Sequence, residues 1–414
     1  MAARPNPNFN NLRPGDYLFT RMAKETAVWK AANPGVRLLS LGIGDTSGPL
    51  VPSVIKGMNR AVKRQSKQRS YTGYGDATGH ESLKKKIVER YARLGVKVDI
   101  SEIFISDGAK GDTANITKIF HPKSRIAVED PAYPVYLDAN VINGMVGKFN
   151  EKTGEFARVH YMRLLKKNGF VPEPPPIKKK IDIIFICRPN NPTGAVFTRE
   201  DWETFLNYCE LTGARLIVDS AYAIFIDDDG IPKSPLEISG AEKYIIEICS
   251  FSKDHAFTGE RIGFTTISHK FTLEGTAEGE VAEKYWKRYK DTFTNGPANI
   301  AQCGAEAGST VEGMLESWEL LISPVKENFA DIASTLSEMG FPVYGSAPYA
   351  WVDVSPYGSW EFQYKVRDEA HVICTPGEGF GRSGRRYARF SAFGTRRDVK
   401  TALKSVKENL ALNV

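Results

Sequence analysis

Cysteine is scarce in this chain: five residues in 414, at Cys187, Cys209, Cys249, Cys303 and Cys374, none of them in a Cys-x-x-Cys pair. An odd number spread so widely excludes a disulfide framework and a zinc or redox knuckle and fits a reducing compartment; no metal site is expected. Long apolar runs are missing as well. The most apolar stretch, Ile181-Asp-Ile-Ile-Phe-Ile-Cys187, is about a third of what a membrane-spanning helix needs. The N-terminal stretch MAARPNPNFNNLRPGDYLF has no signal-peptide core. The expectation is a soluble cytoplasmic protein, or a mature organellar one of a stroma, without a membrane partner. No internal repeat or low-complexity tract is present, which excludes a solenoid. Nor does one charge sign dominate: 55 Lys+Arg against 49 Asp+Glu leave +6, which welcomes anionic small molecules and demands no nucleic acid.

What is present is ordinary globular material, with 42% hydrophobic and 25% charged residues, so wholesale disorder is excluded. Short β-branched runs at 103–106, 125–128, 181–187, 215–219, 245–250 and 263–267 alternate with segments of helical period such as 83–94 and 199–212. That order predicts an α/β fold with a mainly parallel sheet covered by helices on both faces. The polar, proline-interrupted stretch 149–180, with Lys178-Lys179-Lys180, reads as a surface excursion from the sheet. From about 311 the order becomes α+β: a long helix over 311–339, strands near 341–344, 350–354, 371–374 and 387–391, and helices near 360–369 and 397–410. Three regions are expected: 1–50, an arm that returns to the smaller C-terminal domain; 51–310, a large domain; and 311–414, the small domain.

In an open parallel sheet, ligands gather at the carboxyl ends of strands. The unusual polar residues of this chain fall there. The 103–106 strand runs into Ser106-Asp-Gly-Ala-Lys-Gly-Asp112, a small-residue turn entering a helix, suited to phosphate. The 125–128 strand leads to Glu129-Asp-Pro-Ala-Tyr-Pro-Val-Tyr136, with aromatics to stack. The 181–187 strand ends in Arg188-Pro-Asn-Asn-Pro-Thr-Gly194, the 215–219 strand in Asp219-Ser-Ala-Tyr222, and the 245–250 strand in Ser250-Phe-Ser-Lys253, with Arg261 eight residues on. Taken singly, each has an ordinary role as a cap or a turn. Together they meet the needs of pyridoxal 5'-phosphate: an amine for its aldehyde, a carboxylate for its ring nitrogen, a phenol and an amide for its hydroxyl, an aromatic to cover the ring, and phosphate donors.

These motifs resemble the signature of fold-type I pyridoxal-phosphate enzymes of the aspartate aminotransferase class. Further ones, Leu41-Gly-Ile-Gly-Asp-Thr46, Gly73-Tyr-Gly75, Thr294-Asn-Gly296, Ala347-Pro-Tyr-Ala-Trp351 and Arg389-Phe-Ser-Ala-Phe-Gly394, resemble the LL-diaminopimelate aminotransferase family and its plant defence relatives, over nearly the whole chain. The resemblance implies catalytic roles for Lys253, Asp219 and Tyr222. It implies cofactor contacts from Ala109, Lys110, Tyr133, Asn191, Ser250, Ser252 and Arg261, with Tyr74 reaching over from a second subunit. It implies that Arg389 takes the substrate carboxylate, helped by Asn191, and that Tyr17, Gly44 and a neighbour's Asn295 line the distal pocket. A homodimer with shared active sites follows. The implied reaction is amino-group transfer from an L-amino acid to a 2-oxo acid. The alternative is β- or γ-substitution, elimination or cyclisation on the same scaffold.

Departures from the family pattern cluster in the substrate pocket. The family's glutamate in the run after Gly75 is Ala77 here, so an acidic anchor for the distal end of diaminopimelate is missing. Asp254-His255 follow the lysine, Asp45-Thr-Ser-Gly-Pro49 departs from the family's Asp-Thr-Thr-Glu-Pro, and Arg188, Arg382, Arg385 and Arg386 add positive charge. The arginines suit a more anionic substrate if they face the pocket, His255 offers a proton shuttle or only a local hydrogen bond, and Gly377-Glu-Gly-Phe-Gly381 reads as a substrate loop.

Overall fold

In the computed structural model, which describes residues 3–12, 17–46 and 48–411, the β-branched runs become the strands of one seven-stranded sheet. In chain order they are β1 (Ile103–Ser106), β2 (Ile126–Asp130), β3 (Val159–Arg163), β4 (Ile183–Cys187), β5 (Arg215–Asp219), β6 (Ile245–Ser250) and β7 (Gly263–Ile267). They lie side by side as β1-β7-β6-β5-β4-β2-β3. Only β7 runs against its neighbours; the rest are parallel, so their carboxyl ends share one edge.

Successive side chains of a strand leave on opposite faces. Accordingly Ile183, Phe185 and Cys187 join the core on one side of the sheet, and Ile184 and Ile186 the core on the other. The first side is covered by the helix Glu81–Arg93 through Leu83, Ile87 and Tyr91. The second is covered by the helix Arg199–Thr212 through Trp202, Phe205 and Leu206. That helix starts at a reciprocal cap, Thr198 Oγ1 accepting from the Asp201 N–H at 3.2 Å and Asp201 Oδ2 from the Thr198 N–H at 2.8 Å, and ends at Gly213 with φ 78°.

A second sheet follows, of β8 (Val343–Tyr344), β9 (Tyr349–Asp353), β10 (Thr375–Pro376) and β11 (Tyr387–Ser391), antiparallel in the order β8-β9-β11-β10. The N-terminal helix Leu18–Ala32 joins this part of the molecule: Arg21 Nη2 donates to Tyr364 Oη at 3.0 Å and Trp29 Nε1 to Asp368 at 2.7 Å. Leu39–Ser40 then pairs in parallel with Val372–Ile373.

Two expectations are corrected. The segment 149–180 is not wholly an excursion, because it supplies β3, the edge strand beside β2. An edge strand is paired on one side only and keeps polar residues at water, so Val159-His-Tyr-Met-Arg163 shows no apolar run. The helix expected over 311–339 is three pieces, Val311–Ser317, a π turn Trp318–Ile322 and Ser323–Glu338. Pro324 has no N–H to give the carbonyl four residues back, and the ladder slips by one there. Among the described residues all five cysteines are free thiols, and no helix is long and apolar enough to cross a membrane.

Candidate active site

Where the carboxyl edge of the large sheet meets the second sheet and the N-terminal helix, a cavity of about 820 Å³ opens. Gly44, Lys110, Tyr133, Asn191, Tyr222 and Arg389 all line it. Lys110, Tyr133, Asn191 and Tyr222 reach it because a buried strand of the large sheet stops and the chain turns out of the sheet, whereas Arg389 projects from within the second sheet and Gly44 lies in the loop after Ser40.

At the end of β5, Asp219 is buried and accepts from Tyr136 Oη at 2.7 Å and the Ala221 N–H at 3.0 Å. Burial raises its pKa while both donors pull it down, so the carboxylate is ready to share a proton with a base placed beside it. Three residues on, the Tyr222 hydroxyl receives Asn191 Nδ2 at 3.3 Å and Tyr349 Oη at 2.9 Å, and burial pushes its pKa well up, so it stays a phenol.

Past β6, Lys253 is buried, its Nζ donating to the Gly44 carbonyl and lying 4.9 Å from the centre of the Phe393 ring. Burial lowers its pKa to about 8; the Asp45 carboxylate opposes the fall, and the Arg389 and Arg261 cations add to it. Arg389, on β11, is 1% exposed. Its Nη1 donates to Asn191 Oδ1 at 2.7 Å and its Nη2 to the Gly42 carbonyl at 2.6 Å, while Nε has no partner among the described residues. An amine and a guanidinium are thus tied to carbonyls two residues apart in one loop. Neutral carbonyls are weaker partners for a guanidinium than a carboxylate is.

The phosphate-suited turn is held by shape. Gly108 has φ 105°, and a Cβ there would strike the Arg261 guanidinium. Arg261 Nη1 donates to Ser252 Oγ at 3.3 Å, Ser250 Oγ accepts from the Ser252 N–H at 3.1 Å, and Ala109 opens the helix that follows. Ser106 Oγ, at the end of β1, is buried without a partner among the described residues.

Most expected residues therefore come together. Tyr17 is packed 5.7 Å from the Phe19 ring and 5.3 Å from Lys110 Nζ. Tyr74 and Asn295 do not join the site within one chain; both are exposed, Tyr74 to 90%. Ser47 lies outside the described residues. The added arginines do not serve the cavity. Arg188 is buried against Glu129 at 2.6 Å, Arg382 donates to the Thr153 carbonyl, Arg385 pairs with Glu378 at 2.9 Å, and Arg386 donates to the Pro356 carbonyl. His255 makes the local bond: its Nδ1 is 2.8 Å from Ser317 Oγ, and burial lowers its pKa to about 4. Gly377–Phe380 forms a short 3-10 turn that brings Phe380 to 4.9 Å from the Arg389 guanidinium.

Sequence reasoning passed over Tyr136, Tyr349 and Thr375, whose hydrogen bonds hold Asp219, Tyr222 and Arg389. Tyr136 and Tyr349 stand inside the motifs 129–136 and 347–351, but nothing local says which way they face.

The family model "Aminotransferase class I and II" matches residues 36–406. An LL-diaminopimelate aminotransferase of Agathobacter rectalis is 39% identical over 407 residues, 97% of this chain and 98% of that one. The structure of the L,L-diaminopimelate aminotransferase from Chlamydomonas reinhardtii superposes with a TM-score of 0.91 at 37% identity, covering 99% of each chain. The substrate-bound BacF structure from Bacillus subtilis gives 0.81 at 24% identity over 99% of this chain and 98% of that one, a likeness of fold.

Proposed function

The chain belongs to the class I and II aminotransferases, and from that premise we propose that it is a fold-type I enzyme that moves the amino group of an L-amino acid with pyridoxal 5'-phosphate held at the carboxyl edge of the large sheet. The observation that carries this reading is the pairing of a buried, easily deprotonated Lys253 with a buried Arg389 on one loop, at Gly44 and Gly42. The residues fit the cofactor. Ser106 Oγ and Arg389 Nε are buried polar atoms that lack partners among the described residues, and the missing Cβ of Gly108 makes room for Arg261.

When bound, the cofactor supplies an aldehyde that amines add to and a protonated ring that takes up the electron pair left when an α-proton departs. Asp219, fixed by Tyr136 and the Ala221 N–H, holds that ring proton. Asn191 and Tyr222 serve the ring hydroxyl, and Tyr133 covers a face. Ala109, Lys110, Ser250, Ser252 and Arg261 take the phosphate. Arg389 exchanges the Gly42 carbonyl for the substrate carboxylate and so orients the α-hydrogen. With a pKa near 8, Lys253 has an appreciable neutral fraction at physiological pH and takes the α-proton at Nζ, then returns it.

The wider reading is a cytoplasmic homodimer in which Tyr74 and Asn295 complete the partner's site, with a cofactor-binding region of 51–310 and a smaller one of 311–414 joined by 1–50. The exposure of Tyr74 and Asn295 supports it. LL-diaminopimelate is the donor to try first, since relatives carry its name. Ala77 in place of an acidic residue predicts a looser grip on its distal end.

Single-turnover stoichiometry tests the reaction. With a donor amino acid and no oxo-acid acceptor, the purified protein releases one equivalent of 2-oxo acid per site and stops. Continuous release of a substituted, eliminated or cyclised product would establish the alternative chemistry instead. Borohydride reduction followed by peptide mapping places the cofactor on Lys253; a label elsewhere overturns the assignment.

A further inference from the structure

Beside the Lys253 turn lies a second cavity, of about 470 Å³, that shares no lining residue with the first. One wall continues two active-site segments: Asp254 and His255, directly after Lys253, and Ala223 and Ile224, directly after Tyr222. The facing wall is the helix Val311–Ser317 and the π turn after it, with Met314, Leu315 and Trp318. His255 spans the two walls through its 2.8 Å hydrogen bond to Ser317. Leu315 is 65% exposed and Trp318 46%, so large apolar side chains stand at water beside a hollow whose volume suits a small organic molecule.

The charges on the walls decide which molecule. All three lining carboxylates are already engaged. Asp254 holds Arg90 Nη1 at 2.5 Å, Glu247 takes hydroxyls from Tyr91, Ser220 and Ser234 at 2.8, 2.6 and 2.7 Å, and Asp227 is held by Lys326. A cationic ligand finds no carboxylate to spare inside the hollow: Asp254 and Glu247 are buried and already partnered, and Asp227, 70% exposed, stands at water beside Lys326. Three of the four lining cations are held more loosely than Arg90: Lys86 and Arg93 share the exposed Glu89 at 2.9 and 3.9 Å, and Lys233 is 3.8 Å from a fully exposed Asp229. Exposed pairs of this kind are worth little and exchange easily. Lys86 and Arg93 are seven residues apart on the helix Glu81–Arg93, hence on one side of it.

We propose that this cavity is a second binding site, for a small amphipathic monoanion with a flat apolar body and one carboxylate, and that its occupancy is felt at Lys253 through Asp254 and at Tyr222 through Ala223. The carboxylate displaces Glu89 from Lys86 and Arg93, and the apolar body covers Met314, Leu315 and Trp318.

Calorimetry of the cofactor-loaded enzyme with 1-naphthaleneacetate, and with its neutral amide as control, tests the proposal without requiring turnover. One saturable site per chain is expected for the acid, with the amide weaker by about tenfold. Met314→Trp, which fills the hollow, abolishes binding, and Lys86→Gln with Arg93→Gln on the exposed surface makes acid and amide equal. A saturating donor amino acid leaves the affinity for the acid within the same order, and saturating acid changes kcat or KM. Absent saturable binding, equal affinities in the unaltered protein, or direct competition with the donor amino acid would each overturn the site. Binding with unchanged kcat and KM would overturn the coupling to Lys253 and Tyr222. Should Met314→Trp not fold, the paired charge variant still decides.

Discussion

The floor of the large cavity and its mouth are built on different terms. On the floor, Asp219, Tyr222, Asn191, Lys253 and Arg389 are all buried, and each is hydrogen-bonded to a neighbour or to a backbone carbonyl before any ligand arrives. At the mouth, Lys30, Ile43, Asp45 and Lys110 are exposed, and Tyr74 and Asn295, expected to reach over from a second subunit, do not join the site within one chain. The difference teaches where each property resides. Groups that act on a developing charge must be fixed in advance, because reorganising them during the reaction raises the barrier. Groups that choose a side chain can remain at water and adjust.

Breaking the floor has the largest expected effect. Lys253→Ala lowers the rate of 2-oxo acid formation by about 10⁴-fold, as loss of a general acid–base group requires. A variant that keeps a tenth of the rate would show that the floor does not hold the reacting amine.

Next comes the pH dependence of the cofactor-free protein. The folded pKa of Lys253, about 8, lies below the 10.5 of a free lysine, so between these values the unfolded chain binds the extra proton and stability rises with pH. The rise is on the order of 3 kcal/mol across that window and is lost in Lys253→Met. Denaturant midpoints at pH 7.5 and 10 measure it. A flat profile contributed by this residue would mean that the amine is not desolvated.

A smaller effect is expected from Tyr136→Phe, which leaves Asp219 with one donor fewer. A fall in kcat of about tenfold with little change in KM marks Tyr136 as a positioning residue. An equal change in both would assign it to substrate binding instead. Least of all should the mouth respond: Lys30→Met changes KM by about threefold at most and leaves kcat alone, as for an exposed charge. Should it move kcat as far as Tyr136→Phe does, floor and mouth are not separate.

Much of this was legible before folding. The β-branched runs marked six of the seven strands of the large sheet, because a strand buried on both faces can hold few polar residues. The motifs around Asp219, Asn191 and Lys253 named the floor, because turns at strand ends draw on a small set of residues. The edge strand Val159–Arg163 escaped notice because one-sided pairing imposes no such pattern. The fate of Arg188 was equally hidden: its partner Glu129 is distant in sequence, on the strand β2 that pairs with β4, and only their burial together shows that the charge is spent inside and not offered to a substrate.

By itself, then, the sequence determined the α/β alternation and the scarcity of cysteine that rules out a disulfide frame, which depend on composition and short-range order, and it offered Lys253, Asp219 and, through the family resemblance, Arg389 as candidates for the site. Only the tertiary structure decided that Tyr136 secures Asp219, that Lys253 and Arg389 grip one loop from different parts of the chain, that His255 turns to Ser317, and that a second hollow lies next to the Lys253 turn. Each of those joins residues distant in the chain, and burial, which sets their protonation and their partners, is a property of the packed molecule and not of any segment of it.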